Sequence, residues 1–186
     1  MVSYIMEEAL VGEPMFPIMM GIVTILSAWK WGDWKNWRDY HHTIQYFILG
    51  DMLYNLFTWD YSLWTYPHPP NLLPNHLTNN LYIMFTMYPS TLLIFLFQFP
   101  KNNVRKQILY ILLWIVLWLI FELIMVMNGF CVYSHGWTYG WSIVFVCLMV
   151  PMLLLHHKRP MLAYILSVPI IVFLLLWFHV PVFDTK

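Results

Sequence analysis

The sequence predicts an all-α fold, a polytopic bundle of membrane-spanning helices that forms a single integral membrane domain over residues 1–186. Composition gives the first reason. Hydrophobic residues make up 61% of the chain and charged residues only 10%, with a mean hydropathy of +0.63. Soluble domains carry about 25% charged residues, so the composition excludes that class. The second reason is that apolar stretches recur at lengths that fit one crossing of a bilayer core about 30 Å thick.

Six of these stretches are predicted to be transmembrane helices. They cover residues 15–29, 41–59, 80–99, 107–127, 137–155 and 161–179. One crossing needs about 20 residues at a rise of about 1.5 Å per residue, so the chain has room for about six crossings. The first stretch is short and lies beside Pro14 and Pro17, which disfavour helix continuation, so a five-helix bundle is the alternative.

The basic residues predict the orientation of the bundle. Eight of the nine Lys and Arg residues lie in the first, third and fifth loops, and the second and fourth loops contain none. Cytoplasmic loops of membrane proteins are enriched in Lys and Arg. We therefore expect those three loops to face the cytoplasm and both chain termini to face outside. In a five-helix bundle, the amino terminus would be cytoplasmic instead.

The stretch KWGDWKNWRDYHH, before the second predicted helix, mixes aromatic and basic residues. Tryptophan favours the interfacial layer of a membrane, and basic side chains attract anionic headgroups. Gly32 and Asp33 predict a helix start, with Asp33 capping a helix that begins at Trp34. A basic turn also ends the fifth predicted helix. Together these segments supply the predicted cytoplasmic lipid anchor, which comprises Trp31, Trp34, Lys35, Trp37, Arg38, His157, Lys158 and Arg159.

Two acidic residues, Asp51 and Glu122, lie inside predicted membrane helices. A central Asp costs about 2.5 to 3.5 kcal/mol on insertion, and such residues are candidates for functional sites. Helix rise places both acids in the outer half of the membrane, at depths similar to those of three neutral polar residues. The predicted polar intramembrane site comprises Asp51, Asn55, Thr86, Glu122 and Ser142.

Two interpretations of this polar layer stay open. It is either a proton or cation site that is reached from outside, or a set of hydrogen bonds that hold helices together. Hydrogen bonds between membrane helices typically contribute about 0.6 kcal/mol and reach about 2 kcal/mol. Depth along each helix does not show whether these side chains face one another.

Other chemistry finds little support in the sequence. No segment resembles a hydrolase nucleophile motif, a phosphate-binding glycine loop or a haem-attachment motif, so we predict no enzymatic activity and no cofactor. His68, His76 and His135 are weak candidates for binding zinc or copper, because their spacing matches no compact ligand motif. The net charge is zero, which argues against nucleic-acid binding.

Several short segments resemble a known family. They are KWGDWKNW, GDMLYN, PNH and KQILYILLW, together with the HKRP turn before the last predicted helix. These strings are similar to those of an uncharacterised family of small multipass membrane proteins from endospore-forming Bacillus- and Clostridium-type bacteria, over residues 29–178. The resemblance implies a bacterial cytoplasmic membrane or spore membrane. It implies no activity.

The sequence therefore predicts a non-enzymatic membrane protein that acts as a structural or accessory subunit. Its expected partners are membrane lipids, a second copy of itself or another membrane protein. The alternative is a small transporter or channel component in which Asp51 and Glu122 bind a proton, a cation or a small polar solute. A chain of 186 residues is short for a solitary transporter, so this alternative implies an oligomer.

Overall fold

The computed structural model of the chain describes residues 15–67 and 75–182. Six α-helices and two short β-strands lie within these ranges. In chain order they are α1 (Phe16–Trp31), α2 (Trp37–Phe57), β1 (Trp64–Thr65), α3 (His76–Phe97), α4 (Val104–Met127), β2 (Val132–Tyr133), α5 (Tyr139–Lys158) and α6 (Pro160–Trp177). Each predicted membrane helix overlaps one observed helix, which confirms the all-α class.

Four of the described helices, α3 to α6, are long and apolar enough to cross a membrane. Helix α1 has only 16 residues, and α2 carries Arg38, Asp39 and Asp51. Four helices therefore support a membrane protein by their length and hydropathy, whereas α1 and α2 do not meet the same requirements.

The centre of the bundle is formed by α2, α3 and α5. Helix α1 packs on α3, α2 packs on both α3 and α5, α4 packs on α5, and α5 packs on α6. The main core joins Leu92 and Leu93 of α3 to Val150 and Leu153 of α5. Most apolar side chains of α4 and α6 are exposed, as lipid-facing helices require. Close van der Waals packing holds such helices together, because acyl chains are as apolar as leucine.

Helix α1 lies close to α3 at Gly21. A Cβ atom at this position would lie 2.0 Å from the hydroxyl oxygen of Tyr82 on α3. That hydroxyl donates a hydrogen bond to the carbonyl oxygen of Ile18 at 2.9 Å. The missing side chain of Gly21 thus makes room for the polar contact that joins α1 to α3.

Helix α2 begins at Trp37, so the predicted start at Trp34 is wrong. Asp33 accepts hydrogen bonds from the backbone and side-chain nitrogens of Asn36, and the Tyr40 hydroxyl donates to it at 3.2 Å. The Asn36 side chain contributes most to lowering the pKa of the exposed Asp33 carboxyl. Asp33 therefore closes the turn before the helix instead of capping the helix, and turns of this kind use the same residue types.

The two strands pair at one end of the bundle, opposite the basic loops. We call this end the strand end. Strand β1 pairs antiparallel with β2, with Trp64 opposite Tyr133. The Tyr54 hydroxyl of α2 accepts hydrogen bonds from the backbone amides of Leu63 and Trp64, both at 3.0 Å. The opposite end, where the basic loops lie, is called the basic end. No strand is expected from the sequence, and the pairing joins the loop after α2 to the loop after α4.

Candidate functional site

Asp51 of α2 lies in a hydrogen-bonded group with Asn55, Asn80 and Tyr88, which we call the Asp51 cluster. Its Oδ1 atom accepts from the side-chain nitrogens of Asn55 at 3.0 Å and Asn80 at 3.3 Å. Its Oδ2 atom accepts from the Tyr88 hydroxyl at 2.7 Å. Both carboxyl oxygens therefore have donors, and two of the three donors come from the neighbouring helix α3.

Asn80 and Tyr88 were missed by the sequence analysis. They are eight residues apart, which is slightly more than two helical turns, so both reach the face of α3 that meets α2. Asn80 is only 3% exposed. Polar residues at this spacing in an apolar helix are a signal that could have identified them.

Glu122 of α4 lies in a second group, the Glu122 cluster, with Tyr133, Trp137 and Ser142. The Tyr133 hydroxyl donates to Glu122 Oε1 at 2.7 Å, and Ser142 of α5 donates to the same oxygen. Trp137 Nε1 in turn donates to Ser142 Oγ at 2.9 Å. Ser142 and Trp137 are buried. This cluster therefore ties α4 to α5 and to strand β2.

The predicted polar layer is divided between these two clusters. Asp51 and Asn55 lie in one, and Glu122 and Ser142 lie in the other. The fifth predicted member, Thr86, donates to the Tyr82 carbonyl oxygen of its own helix. Among the described residues no hydrogen bond connects the Asp51 cluster directly to the Glu122 cluster.

Tyr66 in the loop after β1 lies close enough to both clusters for the acid of each to affect its pKa. Burial raises the pKa of its hydroxyl well above the usual value, and nearby Cys131, Asp51 and Glu122 add to the rise. Its backbone nitrogen donates to Nδ1 of His76 at 3.1 Å. The Tyr66 hydroxyl therefore keeps its proton and lies within electrostatic reach of both acids.

The segment around β2 lies beside Glu122 at the strand end. Burial contributes most to raising the pKa of Tyr133, and the adjoining Glu122 adds to the rise, so the hydroxyl keeps the proton that it donates. Burial also raises the pKa of the Cys131 thiol to about 12. A thiol with so high a pKa is a poor nucleophile near neutral pH.

The histidines proposed as weak metal ligands have other contacts. His76 accepts from the Tyr66 backbone, and His135 Nδ1 lies 2.9 Å from the Ser62 carbonyl oxygen. His68 lies outside the described residues. Within residues 15–67 and 75–182, no group of three His, Cys, Asp or Glu residues has a geometry suited to a metal ion.

Most residues of the predicted lipid anchor are exposed at the basic end. Trp31, Trp34 and Trp37 are exposed, and the charged groups of Lys30 and Arg38 lie 5.0 and 5.4 Å from the centroids of neighbouring tryptophan rings. Lys35, Lys158 and Arg159 are exposed as well. Their exposure is compatible with headgroup contact, which stays a prediction.

His157 differs from the other members of the predicted anchor. Its ring stacks on Tyr40 at 5.8 Å and on His42 at 5.4 Å. Its Nδ1 atom is buried. Much of this side chain therefore packs inside the protein instead of pointing to the headgroup layer.

Comparison with protein-family models, with curated proteins and with solved structures gives no match. The proposed function therefore rests on the geometry of the two acidic clusters.

Proposed function

We propose that this protein is a six-helix membrane subunit with a structural or accessory role, and that its two intramembrane acids hold helices together. The hydrogen bonding of Asp51 is the observation that carries this proposal. Both of its oxygens accept hydrogen bonds, and Asn80 and Tyr88 donate from a different helix. Asp51 accepts three hydrogen bonds, of the about four that a carboxylate is able to accept, so little acceptor capacity is left for a cation or a solute.

The proposal of six crossings is supported by the packing of α1 and α2. Helix α1 lies along α3, which is itself long and apolar enough to span. Two polar groups of α2 turn inward, since Asp51 bonds to α3 and Tyr46 bonds to Ser167 of α6 at 2.6 Å. Polar groups that are satisfied inside a bundle remove much of the insertion penalty that low hydropathy implies.

The proposed orientation places the basic end in the cytoplasm and both termini outside, in a bacterial cytoplasmic or spore membrane. It rests on the concentration of Lys and Arg in the loops of that end. Reporters fused to each terminus test it. We expect both reporters to be outside, and an amino terminus inside would favour the five-helix alternative.

Lipids are the first proposed partners, and the outer surfaces of α4 and α6 support them. Both helices expose apolar side chains along most of their length. A groove of about 230 Å³ between α5 and α6 is lined by apolar and aromatic residues, among them Trp141, Leu148 and Phe173. The same surfaces would accept a second copy of the chain or another membrane protein.

A second candidate function, a proton or cation site, is favoured by one feature of Glu122. Tyr133 and Ser142 both donate to Oε1, and Oε2 accepts no hydrogen bond from the described residues. An acceptor of this kind is available to a proton, a cation or a polar solute. In this candidate function the chain would be a component of a small oligomeric transporter or channel.

Flux measurements in proteoliposomes separate the two candidates. Vesicles would carry the wild-type protein, the Glu122→Gln variant or no protein, and proton, sodium and potassium movement would be followed. We expect the wild-type vesicles to behave like the empty ones. A wild-type flux that Glu122→Gln abolishes, without lowering the melting temperature, would overturn the structural role in favour of transport.

A further inference from the structure

Three imidazole rings meet at the basic end, where α2 packs against α5. The ring of His42 on α2 lies with its centroid 5.6 Å from that of His156 and 5.4 Å from that of His157, both on α5. We call these three residues the histidine cluster. It lies at the opposite end of the bundle from the two acidic clusters.

His156 is enclosed by aromatic rings. It is 1% exposed, and it stacks on Tyr46 of α2 with centroids 4.1 Å apart. Tyr164 of α6 stands perpendicular to it at 5.1 Å. His156 Nδ1 lies 3.2 Å from the Thr43 hydroxyl, so this imidazole contributes directly to the contact between α2 and α5.

Two ring nitrogens of this cluster are buried without a hydrogen-bond partner in the described part of the chain. They are Nε2 of His156 and Nδ1 of His157. Buried polar atoms usually have partners, and exceptions indicate a strained or functional position. A neutral imidazole has one nitrogen that donates and one that accepts, and protonation makes both nitrogens donors. Proton binding at either of these two nitrogens therefore breaks no hydrogen bond among the described residues.

The charged groups around the cluster do not balance three positive charges. On α5, Lys158 lies within electrostatic reach of His157, and on α2 Asp39 does so with the opposite sign. The remaining titratable groups in ring contact are phenols, which are neutral when protonated, namely Tyr40 and Tyr46 of α2 and Tyr164 of α6. One acid therefore faces three imidazoles and a lysine.

We propose that His42, His156 and His157 form a proton-binding site that loosens the contact between α2 and α5 when the pH at the basic end falls. The interaction energy of two unit charges is about 332/(ε·r) kcal/mol. Two positively charged rings at separations of about 5 to 6 Å therefore repel each other strongly in a partly buried site. Protonation of more than one ring therefore opposes the approach of the two helices. A protonated His156 also has Nδ1 as a donor, so its hydrogen bond with the Thr43 hydroxyl then runs from the ring to the hydroxyl oxygen. The site is independent of the role of the acids at the strand end.

Distance measurements between spin labels test the proposal in the full chain. Labels would be attached to cysteines at two exposed positions, Gln45 on α2 and Arg159 after α5, in a Cys147→Ser background that leaves the buried Cys131 in place. Free imidazole titrates near neutral pH and burial opposes its protonation, so spectra would be recorded in nanodiscs from about pH 8 to about pH 4. We expect the mean distance to increase reversibly as pH falls.

Matched histidine variants connect the distance change to the cluster. His41 neighbours His42 but is exposed, and its ring meets Trp37 outside the cluster. We expect His42→Gln to shift or remove the transition and His41→Gln to leave it unchanged. The absence of a transition in the wild type, or equal effects of the two variants, would overturn the proposal.

A second measurement requires no substitution inside the cluster and so does not depend on whether a variant folds. Nuclear magnetic resonance of imidazole nitrogens in the wild-type protein would follow each histidine through the same pH range. We expect the two rings of α5, His156 and His157, to titrate at separate midpoints, because each bound proton opposes the next. A single midpoint shared by both rings would contradict interaction between them.

Discussion

The two ends of the bundle use polar side chains in opposite ways. At the strand end, the carboxyl oxygens of Asp51 receive donors from two helices, and Tyr54 supports the strand pair. At the basic end, two buried imidazole nitrogens have no partner among the described residues. Satisfied polar groups fix one arrangement of helices, whereas unsatisfied titratable groups leave an arrangement that pH is able to change. The strand end therefore stabilises the bundle, and the basic end is the proposed site of the response to pH.

The two acids also differ within the strand end. Asp51 uses both oxygens, and Glu122 uses one. The hydroxyl oxygens of Tyr133 and Ser142 lie 3.3 Å apart, so these two groups are able to hydrogen-bond to each other if Glu122 is lost. Among the described residues, the side chains of Asn80 and Tyr88 make no other hydrogen bond that could replace the one to Asp51. The strand end therefore depends more on Asp51 than on Glu122.

The largest effect is expected for Asp51→Ala. Loss of the carboxyl leaves Asn80 and Tyr88 without their acceptor, and we expect the free energy of unfolding to fall by about 2 kcal/mol. Asp51→Asn keeps an acceptor oxygen of similar size and should cost less than half as much. Thermal unfolding in detergent measures both. Equal losses would contradict this expectation and show that one retained acceptor oxygen is not enough, so that the second carboxyl oxygen or the charge is required.

A smaller loss, about 1.5 kcal/mol, is expected for Glu122→Ala. Tyr133 and Ser142 recover part of the lost bonding between themselves, which is why the loss stays below that for Asp51→Ala. The matched variant is Glu122→Gln, which retains an acceptor. If the order of the two alanine variants were reversed, the ranking of the acids would be wrong.

Tyr54→Phe tests how much a tyrosine hydroxyl stabilises the strand end, compared with one at the basic end. The change removes the acceptor of two backbone amides at β1, and we expect a loss of about 1 kcal/mol. Tyr46→Phe at the basic end removes one bond to Ser167 and should cost less. The same unfolding assay compares them. A greater loss for Tyr46 would place the more stabilising hydroxyl at the basic end.

The smallest effect concerns Cys131, whose thiol reports how closed the strand end is. Burial raises its pKa to about 12, so the reactive thiolate is scarce near neutral pH and becomes more abundant as pH rises. In a Cys147→Ser background, we expect maleimide to modify the native protein far more slowly than the protein in SDS at the same pH. Equal rates would show that the strand end is open.

The helices were predictable because hydropathy and loop charges leave a strong local signal. All six predicted helices exist, and the error at Trp34 arose because Asp33 stabilises a turn with a helix-capping residue type. The all-α class and the membrane class followed from composition. The number of crossings and their orientation stay predictions.

The site was only partly predictable because depth along a helix does not give its rotation. Asp51 and Glu122 were identified as buried acids, but the division into two clusters depends on which faces meet. Tyr88 and Tyr133 were missed as partners, since tyrosine is also common in purely apolar packing. The pairing of Trp64 with Tyr133 joins loops far apart in sequence, and strands of two residues leave no periodic signal.

The central claim is that Asp51 holds α2 to α3, and a double-mutant cycle between Asp51→Ala and Tyr88→Phe tests it most directly. Free energies of unfolding would be measured for the wild type, both single variants and the double variant. A parallel cycle of Asp51→Ala with Tyr133→Phe, which lies in the other cluster, provides the control. We predict a coupling of about 0.6 to 2 kcal/mol for the Tyr88 cycle and none for the control. Additive effects in the Tyr88 cycle would contradict the account.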